Sequence, residues 1–246
     1  MTADRLIRHL PTVDSTNDRA LELAAAGAPD GSVILADAQT SGRGRRGRSW
    51  HSPEGGLYLS YLVRDAGDLP RPALLTLAAG VATARAIREA TGLAARLKWP
   101  NDVVTDQGAR KLAGILAEAS GAGSRLEFAV IGVGINVSPA TFPPDLAGRA
   151  SSMANELGRD VDRDALQQAL IASLDAEVAR LRAGGHAAML DEWSAASPSA
   201  RGREVSWRAD GAVRHGVTAG VDDEGALIVQ TDGGITRLVA GEVVWA

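Results

Sequence analysis

Between Gly42 and Arg48 the chain reads GRGRRGR, four arginines interleaved with three glycines. Arginine supplies fixed charge and a planar fork that grips phosphates and carboxylates. Glycine lets the backbone come close to a ligand or turn through positive φ. A basic flap of this kind suits chemistry that joins a carboxylate to an α-phosphate, because two anions must be brought together. The same residues also read as a solvated basic loop, or as a patch contacting RNA or DNA phosphates. Trp50, two residues on, either stacks on an adenine or belongs to the core.

Three further segments carry chemistry-bearing residues. In Lys98-Trp99-Pro100-Asn101-Asp102, the last two either cap the backbone as an Asx-turn or contact nucleotide phosphates or a magnesium ion. In Lys111-Leu112-Ala113-Gly114-Ile115-Leu116 a lysine heads an apolar run. Such a lysine either snorkels to solvent or points into a pocket, where its ammonium stabilises developing negative charge. Gly114 would then leave room for a flat ligand. Ile131–Val137 (IGVGINV) places Gly132 and Gly134 inside a strand, the mark of a bulge or a close approach by another group. It is not a dinucleotide fingerprint, which needs a third glycine where Val137 stands and a helix after it.

Composition excludes several classes. The chain of 246 residues has 45% apolar and 23% charged residues, as a globular protein does. A net charge of −4 leaves any anion affinity to local clusters. With no cysteine there is no disulfide, thiolate metal site or thioester intermediate on this chain, and its four histidines lack metal-ligand spacing. No apolar run has signal-peptide or membrane-spanning length, so the expectation is a cytoplasmic, non-redox protein that makes no use of a membrane.

The elements that must position these residues follow from pattern. Asp14-Ser15-Thr16-Asn17 offers N-caps for a short helix stopped by Gly27. Ser32–Gln39 and Leu57–Val63 read as strands around the loop Thr40–Gly56. Helical spacing runs from Arg71 to Ala90, from Asp162 to Ala183 and over His186–Ala196. Ala95–Trp99 is a short strand, and Lys111–Ala119 with Arg125–Val137 forms an antiparallel hairpin. Without regular βαβ alternation, the fold class is α+β, a mixed or antiparallel sheet with flanking helices, rather than doubly wound. After Pro198, five short Val-rich strands separated by ADG, DDEG and TDGG turns predict a small β-barrel. The boundary falls near Ser197–Arg203, giving domains 1–197 and 198–246.

Taken together and in order, Ser15-Thr16-Asn17, QTSGRGRRGRSW (Gln39–Trp50), KWPND, KLAGIL and GVGINV closely resemble the catalytic domain of biotin protein ligases, from about Val13 to Val137. The C-terminal β module resembles that family's small SH3-like domain. The resemblance implies that ATP activates biotin as biotinyl-5′-AMP and that a lysine of a biotin carboxyl carrier domain, from acetyl- or propionyl-CoA carboxylase, then takes the acyl group. It implies biotin contacts from Ser15, Thr16, Asn17, Gln39, Gly42, Arg43, Gly44, Arg45, Lys111, Gly114, Gly132 and Gly134. Nucleotide contacts would come from Arg45, Arg48, Trp50, Asn101, Asp102, Lys111 and Asn136, with Mg²⁺ carried on the phosphates rather than by a protein metal site. Lys111 is the main catalytic residue, aided by Arg43 and Arg45. Some members carry an N-terminal winged helix; here Ser15 arrives after 14 residues, so no DNA binding of that kind is expected. A homodimer through a sheet edge occurs in the family. The rivals are a lipoate or octanoate ligase or transferase of the same fold and a nucleic-acid-binding module using Arg43–Arg48.

Overall fold

Seven strands form the main sheet, and their apolar content decides which run through its middle. In the computed structural model, which describes residues 5–66, 69, 72–106, 110–122, 125–139, 142–239, 241 and 243–245, these are β1 (Ile7–Val13), β2 (Val33–Gln39), β3 (Leu57–Arg64), β4 (Ala95–Lys98), β5 (Asp102–Thr105), β6 (Lys111–Ala122) and β7 (Arg125–Ile135). Their order is β1-β2-β3-β7-β6-β5-β4. Only the β1–β2 pair is parallel, so the sheet is mixed and the fold α+β, as the sequence implies. Leu57–Val63 of β3 is buried on both faces, as a central strand must be. β1 escapes sequence reading because it is polar, mostly exposed and carries Pro11, features tolerated only at an edge. β5 escapes it too, having four residues and no periodicity to read.

The helices are distributed unequally. α2 (Pro72–Thr91), α4 (Arg163–Arg182) and α5 (His186–Ala196) cover one face, with Leu77, Ile87, Leu170, Leu174 and Trp193 in the main core. Asp162 caps α4 by accepting from the Ala165 N–H at 3.0 Å. The expected start of α2 at Arg71 lies outside the described residues. A short α3 (Met153–Leu157), too brief to announce itself by periodicity, precedes α4. On the opposite face α1 (Thr16–Ala25) stands alone, seating Ala20 and Ala24 on Ile34, Leu62, Phe128 and Val130. Leu62 pairs with Val130, Ser60 with Gly132 and Tyr58 with Gly134; Leu116 pairs with Gly132 and Gly114 with Gly134. Two-residue alternation puts all of these on α1's face. One half of that face is therefore roofed by α1, and the other half needs a different cover.

The last five strands are β8 (Arg201–Ala209), β9 (Ala212–Val221), β10 (Leu227–Thr231), β11 (Gly234–Leu238) and β12 (Val243–Trp245). Asp210 and Gly211 both take positive φ, 52° and 77°, which matches a tight hairpin to the strand twist. The strands pair antiparallel in the order β11-β10-β9-β8-β12. The expectation of a closed β-barrel is corrected: among the described residues nothing joins β11 to β12, and the sheet is open. The physical reason is that it shares a core instead of enclosing one. Val205, Trp207, Leu227, Val229 and Leu238 belong to the same buried cluster as Leu97 and Trp99. Trp99 Nε1 donates to the Gly225 carbonyl at 3.0 Å in the interior between them. Among the described residues no helix is long and apolar enough to cross a membrane.

Candidate active site

The part of the sheet that α1 leaves open is the floor of a cleft, and the N-terminus of α1 forms one wall. Ser15, Thr16 and Asn17 are buried there. Ser15 caps the helix by accepting from the Asp18 N–H. Gln39 Oε1 accepts both the Thr16 N–H, at 2.8 Å, and the Thr16 hydroxyl, at 3.1 Å. Gln39 Nε2 in turn donates to Ser52 Oγ at 2.8 Å. Ser60 Oγ, from the floor, lies 2.6 Å from Asn17 Oδ1 and 2.8 Å from Thr16 Oγ1. Asn17 lies so close to the backbone at Gly132 that a Cβ there would collide with its Oδ1. The outcome is a neutral shelf of amides and hydroxyls, held rigid by its own hydrogen bonds.

The basic loop forms the opposite wall as a stub of hairpin. Trp50 N–H donates to the Gly42 carbonyl at 2.8 Å, and Gly44 N–H to the Arg48 carbonyl at 2.7 Å. Its tip, Arg45–Gly47, is a 3₁₀ turn in which Arg46 and Gly47 have positive φ. Gly42 does not line the cleft; a side chain there would strike Ser52 Oγ and the Trp50 carbonyl. Arg43 reaches across to Asp18 at 2.8 Å and to Glu118 at 2.6 Å. Trp50 lies flat on the floor, where a Cβ on Gly114 would come within 2.9 Å of its ring and one on Gly134 closer still. Among the described residues its buried indole N–H has no hydrogen-bond partner.

Lys111 enters the cleft because of a bulge. Simple alternation would set it on the side of Ala113 and Ile115, which are core. The pairing of β5 with β6 shifts between Val103↔Ala113 and Val104↔Lys111, so Leu112 is the extra residue. A bulge re-aims a side chain, and the Lys111 ammonium accordingly lies 5.0 Å from the Trp50 ring centroid and 2.5 Å from Asp102 Oδ1. Asn101 also faces the cleft, its amide donating to the Ile115 carbonyl at 2.8 Å.

Asn136 does not line this cleft. Its amide donates to the Lys111 carbonyl at 3.3 Å and the Ser151 carbonyl at 3.1 Å, behind the lysine. It holds the bulge and the 149–151 segment together. Asn136→Ala is therefore expected to leave the Ser151 carbonyl without this donor, while the Lys111 carbonyl keeps the Ser151 N–H, costing about 1–3 kcal/mol. Thermal melting checks that loss, and a rise in the ATP KM out of proportion to kcat would instead mark a direct nucleotide contact.

The cleft is electrostatically two-ended. At the Lys111 end, Arg45, Arg46, Arg48, Lys98 and Arg149 face the same space as Asp102. Burial, reinforced by Arg149 and Lys111 and opposed by Asp102, pushes the Lys98 ammonium below the usual lysine range. Burial likewise lowers Arg45 against the pull of Asp102, with Arg46 and Arg48 adding to the lowering. Cations crowded and partly dehydrated in this way attract a polyanion strongly. The sequence reading missed Ser60, Glu118, Lys98, Arg149 and Trp245. Ser60 and Glu118 had a signal, each being a polar break in an apolar strand. Lys98 heads KWPND and marks itself by that motif alone, whereas Arg149 and Trp245 reach the cleft only through tertiary folding.

The same chain matches the Biotin/lipoate A/B protein ligase family over residues 10–136 and the Biotin protein ligase C terminal domain over residues 202–245. It is 36% identical to the biotin–[acetyl-CoA-carboxylase] ligase of Paracoccus denitrificans, over 95% of this chain and 98% of that one. It is 34% identical to a bifunctional ligase/repressor of Bacillus subtilis, over 97% of this chain and 73% of that protein. The structure superposes on the Aquifex aeolicus biotin protein ligase in complex with biotin and ATP with a TM-score of 0.85 and 28% identity, covering 98% of each. A glycine floor, a neutral shelf, a cationic pole and these likenesses agree, and the chain belongs to the biotin protein ligase family.

Proposed function

We propose that the two ends of the cleft divide the substrate between them as this ligase activates biotin with ATP and transfers it to a carrier protein. The neutral shelf of Ser15, Thr16, Asn17 and Gln39 takes the ureido group, which offers N–H donors and a carbonyl acceptor. The glycine floor at Gly114, Gly132 and Gly134 takes the bicyclic ring and its chain. Lys111 sits where the biotin carboxylate meets the α-phosphate, and Arg43, Gly44 and Arg45 close over the junction. Arg48, Asn101 and Asp102 serve the nucleotide. The observation that carries this reading is a single cleft with Lys111 among the cations of one end and the neutral shelf at the other.

In the first step a biotin carboxylate oxygen attacks the α-phosphorus, the bond to the bridging oxygen of the β-phosphate breaks, and pyrophosphate leaves with the electron pair. Lys111 exchanges Asp102 for the substrate anions and lowers their repulsion. Trp50, with its unsatisfied indole N–H, gives up its place on Gly114 and Gly134 as the adenylate enters. Mg²⁺ would arrive on the phosphates, where it neutralises charge, and the oxygens of Asp102 and Asn101 suit it. In the second step the neutral amine of the carrier lysine attacks the acyl carbon, the bond to the AMP oxygen breaks, and the nitrogen loses its extra proton. The arginines of the loop are thereby nucleotide ligands inside a cleft rather than a face for nucleic acid.

The acceptor is the carrier domain of an acetyl- or propionyl-CoA carboxylase, with cytoplasmic ATP as the energy source. Residues 1–197 supply the site and 198–246 support its cationic end, where Lys98 lies 5.5 Å from the Trp245 ring. The exposed edge strand β1, with Ile7 50% exposed, is the side on which two copies would pair. Mass spectrometry of a carrier domain incubated with the enzyme, ATP, Mg²⁺ and biotin is expected to show one biotinyl group on one lysine. An unmodified carrier, or modification only when lipoate replaces biotin, would overturn the reading.

A further inference from the structure

Glu118 has no part in the chemistry just described, yet one of its oxygens receives two groups that belong to opposite walls of the cleft. Oε2 lies 2.6 Å from Arg43 Nη2 of the loop and 2.7 Å from Asn17 Nδ2 of the shelf. Asn17 is thereby fixed in orientation, because its Oδ1 faces the Ser60 hydroxyl while its Nδ2 faces Glu118 and the Leu116 carbonyl, 3.3 Å away. Glu118 stands on β6 opposite Val130, where the cleft gives way to the core under α1. Its side chain is 26% exposed, against 37% for Arg43 and 38% for Asp18. The Asp18 contact is thus the more hydrated of Arg43's two ion pairs and the weaker anchor.

We infer that Glu118 is a positioning residue that couples the loop to the biotin shelf, making closure of Arg43 and orientation of the Asn17 amide a single event. This rests on the assignment of the shelf to biotin's ureido group. With the carboxylate in place, an Asn17 correctly turned for the ligand and a closed Arg43 each favour the other. Without it, the Asn17 Nδ2 keeps only its longer bond to the Leu116 carbonyl, and Arg43 retains only the exposed Asp18. The loss falls on biotin binding. Chemistry at Lys111 is touched only through Arg43, and the nucleotide end not at all, since Glu118 lies seven residues along the strand from Lys111.

The test is biotin-dependent ATP–pyrophosphate exchange, with biotin and ATP varied separately. Glu118→Ala is expected to raise the biotin KM about tenfold, the usual weight of a charge-assisted hydrogen bond, while the ATP KM stays within about twofold and kcat falls no further than in Arg43→Ala. Glu118→Gln keeps an oxygen for both donors but loses the charge, and is expected to fall between the native enzyme and Glu118→Ala. Arg43→Ala raises the biotin KM in the native background and is expected to add less than about twofold in the Glu118→Ala background. A residue that only stabilised the sheet would lower the melting temperature and the active fraction, leaving both KM values alone. An unchanged biotin KM in both Glu118 variants, or multiplicative effects with Arg43→Ala, would overturn the coupling. Absence of biotin-dependent exchange in the native enzyme would strike the ligand assignment instead.

Discussion

Lys111→Ala is expected to lower kcat for biotinyl-adenylate formation by about 10²–10³-fold, the range found when one preorganised charge-stabilising donor is removed. Two effects act in the same direction. The ammonium no longer offsets the charge of the carboxylate and α-phosphate as they meet. Asp102, which the lysine holds at 2.5 Å, loses its contact cation and faces an incoming polyanion with only Arg45 and Lys98 to offset it at longer range. Arg45, Arg46, Arg48, Lys98 and Arg149 still face the same space and account for the activity that remains. Lys111→Arg is a poor rescue: a planar fork cannot sit as a point charge between the Trp50 ring and Gly114, where the lysine's Cε and Nζ now pack. Adding Asp102→Asn to Lys111→Ala removes the second effect and is expected to recover part of the rate. Pyrophosphate exchange at saturating biotin and ATP measures these changes. A Lys111→Ala enzyme retaining about a fifth or more of native kcat would remove the lysine from the chemistry.

The sequence made the site's inventory legible better than its construction. Lys111, Gly114, Gly132 and Gly134 stand out because lysine and glycine are unusual inside apolar strands, and each does face the cleft. What the pattern could not say is why Lys111 points there, since alternation alone sends it into the core. The answer is the bulge at Leu112, set by the register of a partner strand, β5, that the sequence did not reveal. Asn136 shows the converse case. Its place in GVGINV implied a nucleotide contact, but the 149–151 segment folds against β6 and claims its amide. The open C-terminal sheet makes the same point at larger scale. Five strands with tight turns were readable, whereas the surface they would close upon was another part of the chain, reached through Trp99 and Gly225.

Gly132→Ala is expected to abolish biotin binding at working concentrations, a fall of about 100-fold or more, while leaving the chain folded. The three atoms nearest to a methyl group there all belong to Asn17: its Oδ1, Cγ and Nδ2. The backbone itself does not object, because Gly132 is not among the glycines with positive φ. Two opposing terms decide the stability. Alanine restricts the unfolded chain and stabilises the fold by about 0.4–1 kcal/mol. Inserting a methyl into a packed site costs about 1–3 kcal/mol. The second is larger, so a modest loss of melting temperature follows, and Asn17 is displaced from both Ser60 and Glu118. The double variant Asn17→Ala with Gly132→Ala separates the two consequences. Removing the obstructed side chain is expected to restore most of the stability without restoring biotin affinity, because the shelf then lacks the amide that holds the ureido group. Calorimetric titration with biotin and thermal melting of the three variants measure both quantities. If Gly132→Ala bound biotin as the native enzyme does, the shelf at Asn17 would not be where the ureido group rests.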